Sequence, residues 1–232
     1  MDLVEKRQDL NLQYIERLAR LGRLSDAASL LKNGTFYTYE GGEGLVPAMH
    51  AFVNIRLGMQ ALETEENEKA LEYFKYASSS PEQFHEGYKY QEKLAYLHYY
   101  LALGYEAVGD QEAMLKELKN AAEQYDNEGE SQYFKGLALR KLGDIEAADQ
   151  LFTRLKERAE EILKNQTLQF FLSFPAALLF EQSQRRTIEK MGYTALFYGQ
   201  LGAGEFEKAK ETAVLMRSKG ISSYWIEYLL AS

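Results

Sequence analysis

Three glycines stand inside otherwise strong helical patterns: Gly58 in Asn54-Ile55-Arg56-Leu57-Gly58, Gly104 in Leu101-Ala102-Leu103-Gly104, and Gly136 in Tyr133-Phe134-Lys135-Gly136. A glycine in a helix interior costs ~1 kcal/mol against alanine, so three placed alike need a structural reason. A close crossing of two helices supplies one, because a missing side chain lets backbone approach backbone. The partner helix should then carry small residues about a dozen positions later. Ala70 follows Gly58 by twelve residues and Ala148 follows Gly136 by twelve, and Phe74 and Phe152 each follow their alanine by four, on the same helical face. Turn residues lie between, as Glu65-Glu66-Asn67 and Leu142-Gly143-Asp144. The pattern predicts an all-α chain of paired helices, and three prolines in 232 residues suit it.

In these residues the chain resembles the tetratricopeptide repeat, a 34-residue helix pair with small residues at fixed places. The resemblance implies an α-solenoid of about five helix pairs within one domain spanning 1–232. Its windows fall near 8–41, 51–84, 97–128, 129–162 and 190–223. Gly22 and Ala27 mark the first; Tyr193, Leu196, Gly204, Phe206 and Ala209 mark the last. The third is two residues short at its turn, Val108-Gly109-Asp110, and has Met114 where a small residue is usual. Insertions separate some units, at 42–50, 85–96 and 163–189. Each follows the second helix of a pair, and stacked pairs place such connections on one edge, where insertions often build a binding face.

The totals narrow the function classes. The chain has no cysteine, which excludes disulfides, thiolate metal sites and a cysteine nucleophile. A net charge of −8 argues against a nucleic-acid binder, which needs a basic face. Solvated helix faces account for the short basic clusters at Arg154/Lys156/Arg158 and Arg185-Arg186. The charged start, Met1-Asp2-Leu3-Val4-Glu5-Lys6-Arg7, lacks the apolar core of a signal peptide, and the longest apolar run, Phe170 to Phe180, is too short to span a bilayer. A cytoplasmic protein without membrane insertion is the expectation.

The inserted segments carry a narrower likeness. Phe36-Tyr37-Thr38-Tyr39-Glu40-Gly41-Gly42-Glu43-Gly44, Glu86-Gly87-Tyr88-Lys89, His98-Tyr99-Tyr100-Leu101-Ala102-Leu103-Gly104 and Phe171-Leu172-Ser173-Phe174-Pro175 occur in that order. Together they resemble the carboxy-terminal repeat region of bacterial proteins in which a galactose-mutarotase-like β-sandwich precedes the helices, often in sugar-utilisation settings. The likeness covers roughly residues 12–215. The family tends to have tryptophan where Tyr39 stands and a histidine-proline pair at Tyr37-Thr38, and the sandwich is absent from this sequence, so its sugar chemistry does not transfer.

Two surfaces are candidates for binding. The first is a ridge of Glu-Gly loops beside aromatics: Tyr37, Tyr39, Glu40 and Glu43; Glu86 and Tyr88 with Phe84; Glu128-Gly129-Glu130 with Tyr125 and Tyr133. Aromatic faces with carboxylates suit sugar hydroxyls, cationic side chains or a partner domain. The competing reading is structural: glycines make turns, glutamates favour helix starts and tyrosines fill joints. The second is a concave groove projected from Phe52, Ile55, Met59, His98, Tyr105, Tyr133, Leu137, Arg140 and Tyr198, apolar and aromatic with one guanidinium, as an extended or helical peptide would require. Ordinary packing between repeats accounts for these positions equally well. The lysine-asparagine clamp for carboxyl-terminal peptides is not recognisable.

Catalysis finds little support. His50, His85 and His98 have no mutual metal-ligand spacing, glutamate pairs such as Glu40/Glu43 are common among 35 acids, and Gly202-Ala203-Gly204 follows a helix where a dinucleotide loop would follow a strand. No cofactor or metal is implied. The apolar run 169–180 predicts an extra helical segment within 163–189, and it or the terminal Tyr224-Trp225-Ile226-Glu227-Tyr228-Leu229-Leu230 serves either as a cap or in self-association. The leading expectation is a non-catalytic scaffold for a protein or peptide partner. The rivals are a carbohydrate-binding or carbohydrate-processing accessory protein using the ridge, and a regulatory peptide sensor using the groove.

Overall fold

Five short turns of one design organise the chain, and the same reversal recurs at Gly220 before the last helix. In the computed structural model, which describes residues 8–37, 44–79, 81–85, 94–124, 129–165 and 181–231, these turns join helices into hairpins, and no strand occurs among the described residues. The helices are α1 (Gln8–Arg20), α2 (Leu24–Asn33), α3 (Leu45–Glu63), α4 (Asn67–Ala77), α5 (Ala95–Ala107), α6 (Gln111–Glu123), α7 (Gly129–Lys141), α8 (Ile145–Asn165), α9 (Glu181–Gly202), α10 (Phe206–Ser218) and α11 (Tyr224–Ala231). A 3-10 turn, Glu82–Phe84, follows α4.

At each hairpin the backbone reverses through one left-handed residue, and two N–H groups reach back to carbonyls of the first helix. Gly22, Glu65, Gly109, Gly143 and Gly204 bond three residues back, to Ala19, Leu62, Glu106, Arg140 and Leu201. The following residues, Arg23, Glu66, Asp110, Asp144 and Glu205, bond five residues back, to Leu18, Ala61, Tyr105, Leu139 and Gln200. This pattern satisfies carbonyls that a helix end would otherwise leave open. Glycine accepts the left-handed angle without a Cβ penalty; Glu65, at φ 59°, does not. Asp110 and Asp144 also cap the helices they begin, accepting from the N–H of Ala113 at 3.0 Å and of Ala147 at 3.1 Å.

The chain falls into two compact units, 1–121 and 122–232. In the first, α3 is apolar around much of its circumference and packs against α2, α4 and α5, burying Val46, Met49, Phe52, Val53, Ile55 and Ala61. Part of the insertion expected at 42–50 is therefore the buried first turn of α3. In the second unit α9 is central, packing against α7, α8 and α10, and Phe197 and Tyr198 share a core with Leu155, Ala209, Met216 and Ile226. Trp225 of α11 is buried and meets Phe134 edge-on at 5.6 Å, so this part of the terminal apolar run packs inside its own unit. The second unit absorbs both ends of the 163–189 insertion, since α8 runs to Asn165 and α9 begins at Glu181. The intervening 166–180, where an extra helical segment is expected, lies outside the described residues.

Gly58 and Gly136 have a different cause from the backbone contact expected of them, whereas a Cβ on Gly104 would stand 3.2 Å from the Leu71 Cα, a close backbone approach of the expected kind. A Cβ on Gly58 would stand 2.4 Å from the Phe74 ring, and one on Gly136 would stand 2.2 Å from the Phe152 ring. The vacated space holds an aromatic ring from the paired helix. Each ring also fills the space left by a second glycine: a Cβ on Gly104 of α5 would lie 2.8 Å from Phe74, and one on Gly202 of α9 would lie 2.2 Å from Phe152. Phe74 and Phe152 are fully buried, as are Ala70, Ala148 and Ala209. Backbone does approach closely elsewhere: a Cβ on Gly129 would be 3.0 Å from the Ala195 Cα, and one on Gly199 3.1 Å from the Lys156 nitrogen.

Candidate functional site

The connection after α2 and the 3-10 turn after α4 are joined in the first unit. Phe36 donates its N–H to the Gln83 carbonyl at 3.0 Å, and the Gln83 amide reaches the Lys32 carbonyl at 3.4 Å. Phe36 is buried and meets Phe84 edge-on at 5.8 Å. Gly34 permits the bend, since a Cβ there would fall 2.7 Å from the Leu30 carbonyl oxygen and 2.8 Å from the Phe36 ring. Immediately outside this joint, Tyr37 lies flat on the His85 imidazole, with centroids 4.9 Å apart and planes within 2°. Tyr37 is 63% exposed, and the backbone of His85 is left-handed. The two segments leading into the first two Glu-Gly loops are thus fastened together and present a stacked ring pair to solvent. Of the other ridge positions, Tyr39, Glu40, Glu43, Glu86, Tyr88, Tyr125 and Glu128 lie outside the described residues.

His50 holds the floor of this joint. Its Nε2–H donates to the Tyr76 carbonyl at 2.7 Å, while Nδ1 accepts from the Asn54 amide at 3.2 Å; that amide also donates to the His50 carbonyl at 2.8 Å. Tyr76 and Phe84 meet the ring edge-on at 4.6 and 5.2 Å. Burial pushes the imidazole down to about 4, against the Tyr76 hydrogen bond, so it is neutral at physiological pH. The sequence carries a signal for this role, a histidine and an asparagine four apart in an apolar helix, which reading His50 for metal spacing alone passes over.

The remaining candidates are dispersed among local contacts. His98 on α5 bonds through Nδ1 to the Glu117 carboxylate on α6 at 2.6 Å, and Asn120 donates to the same oxygen at 3.3 Å. The His98 hydrogen bond holds the Glu117 carboxyl below its ordinary value, against partial desolvation. Tyr105 lies under the Lys75 ammonium, 5.3 Å from the ring centroid. In the second unit, Tyr133 packs among Phe134, Phe152 and Tyr198 at 5.2, 6.2 and 5.5 Å. Arg140 covers the Phe152 ring at 4.9 Å and pairs with Asp149 at 2.7 Å. Tyr133 and Arg140 are therefore neighbours of the clamped phenylalanine. Of the other projected groove positions, Phe52, Ile55 and Tyr198 have at most 1% of their surface exposed and belong to the cores.

Among the described residues, no group of three or more histidines and carboxylates is arranged to hold a metal ion, and no helix is long and apolar enough to cross a membrane. No protein-family model matches the chain, and no solved structure matches it.

Proposed function

We propose that the chain is a tetratricopeptide-like helical-repeat module, an α-solenoid of about five helix pairs, that binds a protein partner and carries out no chemistry of its own. Five hairpins with one turn design, and a glycine-phenylalanine-glycine grip recurring in each unit, support the repeat reading. The observation that carries the binding reading is the exposed Tyr37 held flat against His85 at the joint of two insertions. A ring whose rotation is already restricted loses little entropy on contact, which makes tyrosine effective at interfaces. The partner in this reading is a domain supplied alongside the repeats, with the sugar-acting β-sandwich of the resembling proteins as its type, and the setting is the bacterial cytoplasm.

The test places a photo-crosslinking amino acid at Tyr37 and identifies what it captures in the native cell. One discrete protein, lost when His85→Ala removes the ring beneath it, is the expected outcome. Equal capture from a crosslinker at exposed Leu215, in the other unit, refutes the assignment.

One observation favours the carbohydrate reading as the alternative. A stacked pair of parallel rings beside the glutamate-containing loop segments offers the flat apolar face and acceptor groups that sugar rings use. Titration with monosaccharides and short oligosaccharides decides between the two: saturable binding abolished by Tyr37→Ala supports carbohydrate, and no heat at millimolar sugar removes it. The groove-based peptide sensor is weakened by the burial of Phe52, Ile55 and Tyr198.

A further inference from the structure

In the first unit a cleft of about 440 Å³ opens where the start of α2 meets the turn between α3 and α4. Leu57 and Ala61 of α3, both buried, form its floor, and the half-buried Tyr73 of α4 closes one side. Ser25, Gln60, Glu63 and Glu66 make its polar wall. Glu66 follows the left-handed residue of the turn, and its two carboxylate oxygens are unequally engaged. Oε2 takes the Lys69 ammonium at 2.6 Å, while Oε1 receives the Thr64 hydroxyl at 3.1 Å.

The last hairpin shows what the same arrangement takes when it is filled. Counted from the left-handed residues Glu65 and Gly204, Gln60 corresponds to Gly199, Glu66 to Glu205 and Lys69 to Lys208. Glu205 Oε2 binds Lys208 at 3.0 Å, as Glu66 Oε2 binds Lys69. Its Oε1 binds the ammonium of Lys156, which comes from the neighbouring helix α8. The Lys156 chain runs over Gly199, where a Cβ would stand 2.7 Å from the Lys156 Cγ. In the first unit the neighbouring helix is α2, and it brings the Ser25 hydroxyl to the cleft in place of a lysine.

We propose that this cleft binds an alkylammonium group, carried by a free aliphatic amine or by a lysine side chain. Leu57 and Ala61 support the methylene chain, since such stems lie readily along apolar surface. The ammonium has three protons to place, and Glu66 Oε1, the Glu63 carboxylate and the Gln60 amide oxygen accept them. The Tyr73 ring offers the same cation an aromatic face. The volume falls within the ~300–1,000 Å³ of small-molecule sites.

Titration of the isotope-labelled full chain with pentylamine at millimolar concentration, followed by backbone amide resonances, tests the site. The amides of Ser25, Ala61 and Glu66 should move along one saturable curve. Glu66→Gln should weaken binding at least ~fivefold, while Glu207→Gln, which removes an exposed carboxylate paired with Lys210, should leave it unchanged. Ser25→Lys supplies from α2 the ammonium that α8 supplies to Glu205 and should abolish binding; it decides the matter if Glu66→Gln does not fold. Cadaverine and Nα-acetyllysine methylamide separate the sources. Tighter binding of the first assigns the cleft to a free amine, tighter binding of the second to a partner's side chain, and either supports the site. Equal movements with pentanol, movements that never saturate, or affinity unchanged in both variants would overturn the proposal.

Discussion

Replacing Gly136 with alanine tests the central packing feature of the second unit. Helix propensity alone would make Gly136→Ala stabilising by about 1 kcal/mol. The new Cβ, however, would stand 2.2 Å from the Phe152 ring, well inside contact distance. That ring is confined a second time, since it also occupies the space left by the absent Cβ of Gly202. Overpacking of this kind costs roughly 1–3 kcal/mol, occasionally more, and a ring closely held by two helices belongs at the upper end. The net expectation is a loss of about 2 kcal/mol, or a fall in Tm of roughly 4–8 °C for a chain of this length. Trp225, the one tryptophan, is buried in the same unit against Phe134, so urea unfolding followed by its fluorescence reports the right region. In a Phe152→Leu background the obstacle is gone, and Gly136→Ala should become neutral or stabilising, a coupling of roughly 2–3 kcal/mol. A Gly136→Ala chain as stable as wild type, or the same loss in both backgrounds, would refute the steric argument.

Other outcomes follow from the same structure. Glu65→Gly should stabilise the first unit by about 0.5–1 kcal/mol in thermal unfolding, because it relieves a left-handed side-chain residue, whereas Gly143→Ala at the equivalent turn should destabilise by ~1 kcal/mol. His50 makes stability pH-dependent: with a native value of about 4 against 6.5 for the free side chain, the unfolded chain takes up the proton first. Its contribution is complete above pH 6.5 and fades as pH falls toward 4, by about 2.5 kcal/mol between pH 7 and 4.5. Denaturant midpoints at several pH values should show that slope in wild type and a flatter one in His50→Gln. Asp144→Ala, which removes the cap on α8, should cost ~1 kcal/mol in the same denaturation assay.

Much of the helical architecture was legible because it is written locally. Glycine-aspartate pairs at 109–110 and 143–144 announce both the left-handed reversal and the cap that follows it. The turn at Glu65 lacks the glycine, yet its neighbours' periodicity still marks the boundary. The twelve-residue glycine-alanine interval located the paired helices, but it hid the cause: a gap in one helix does not reveal whether backbone or a ring will fill it. The second grip on each ring was beyond local reading, because Gly104 and Gly202 belong to different hairpins from Phe74 and Phe152. The stacked pair of Tyr37 and His85 was illegible for the same reason, since forty-eight positions separate the partners and their meeting depends on the Phe36–Gln83 bond. Groove positions failed where helical phase alone cannot tell an inner wall from a core, as at Phe52, Ile55 and Tyr198.

Each gripped phenylalanine belongs to one hairpin by covalent connection and to the next by shape. A fragment cut cleanly after α8 would keep every turn it contains, yet it would leave the Phe152 ring bare where α9 had covered it. The piece that can be excised, duplicated or transplanted without opening such a wound is therefore not the hairpin. It takes in both helices of one pair together with the first helix of the following one.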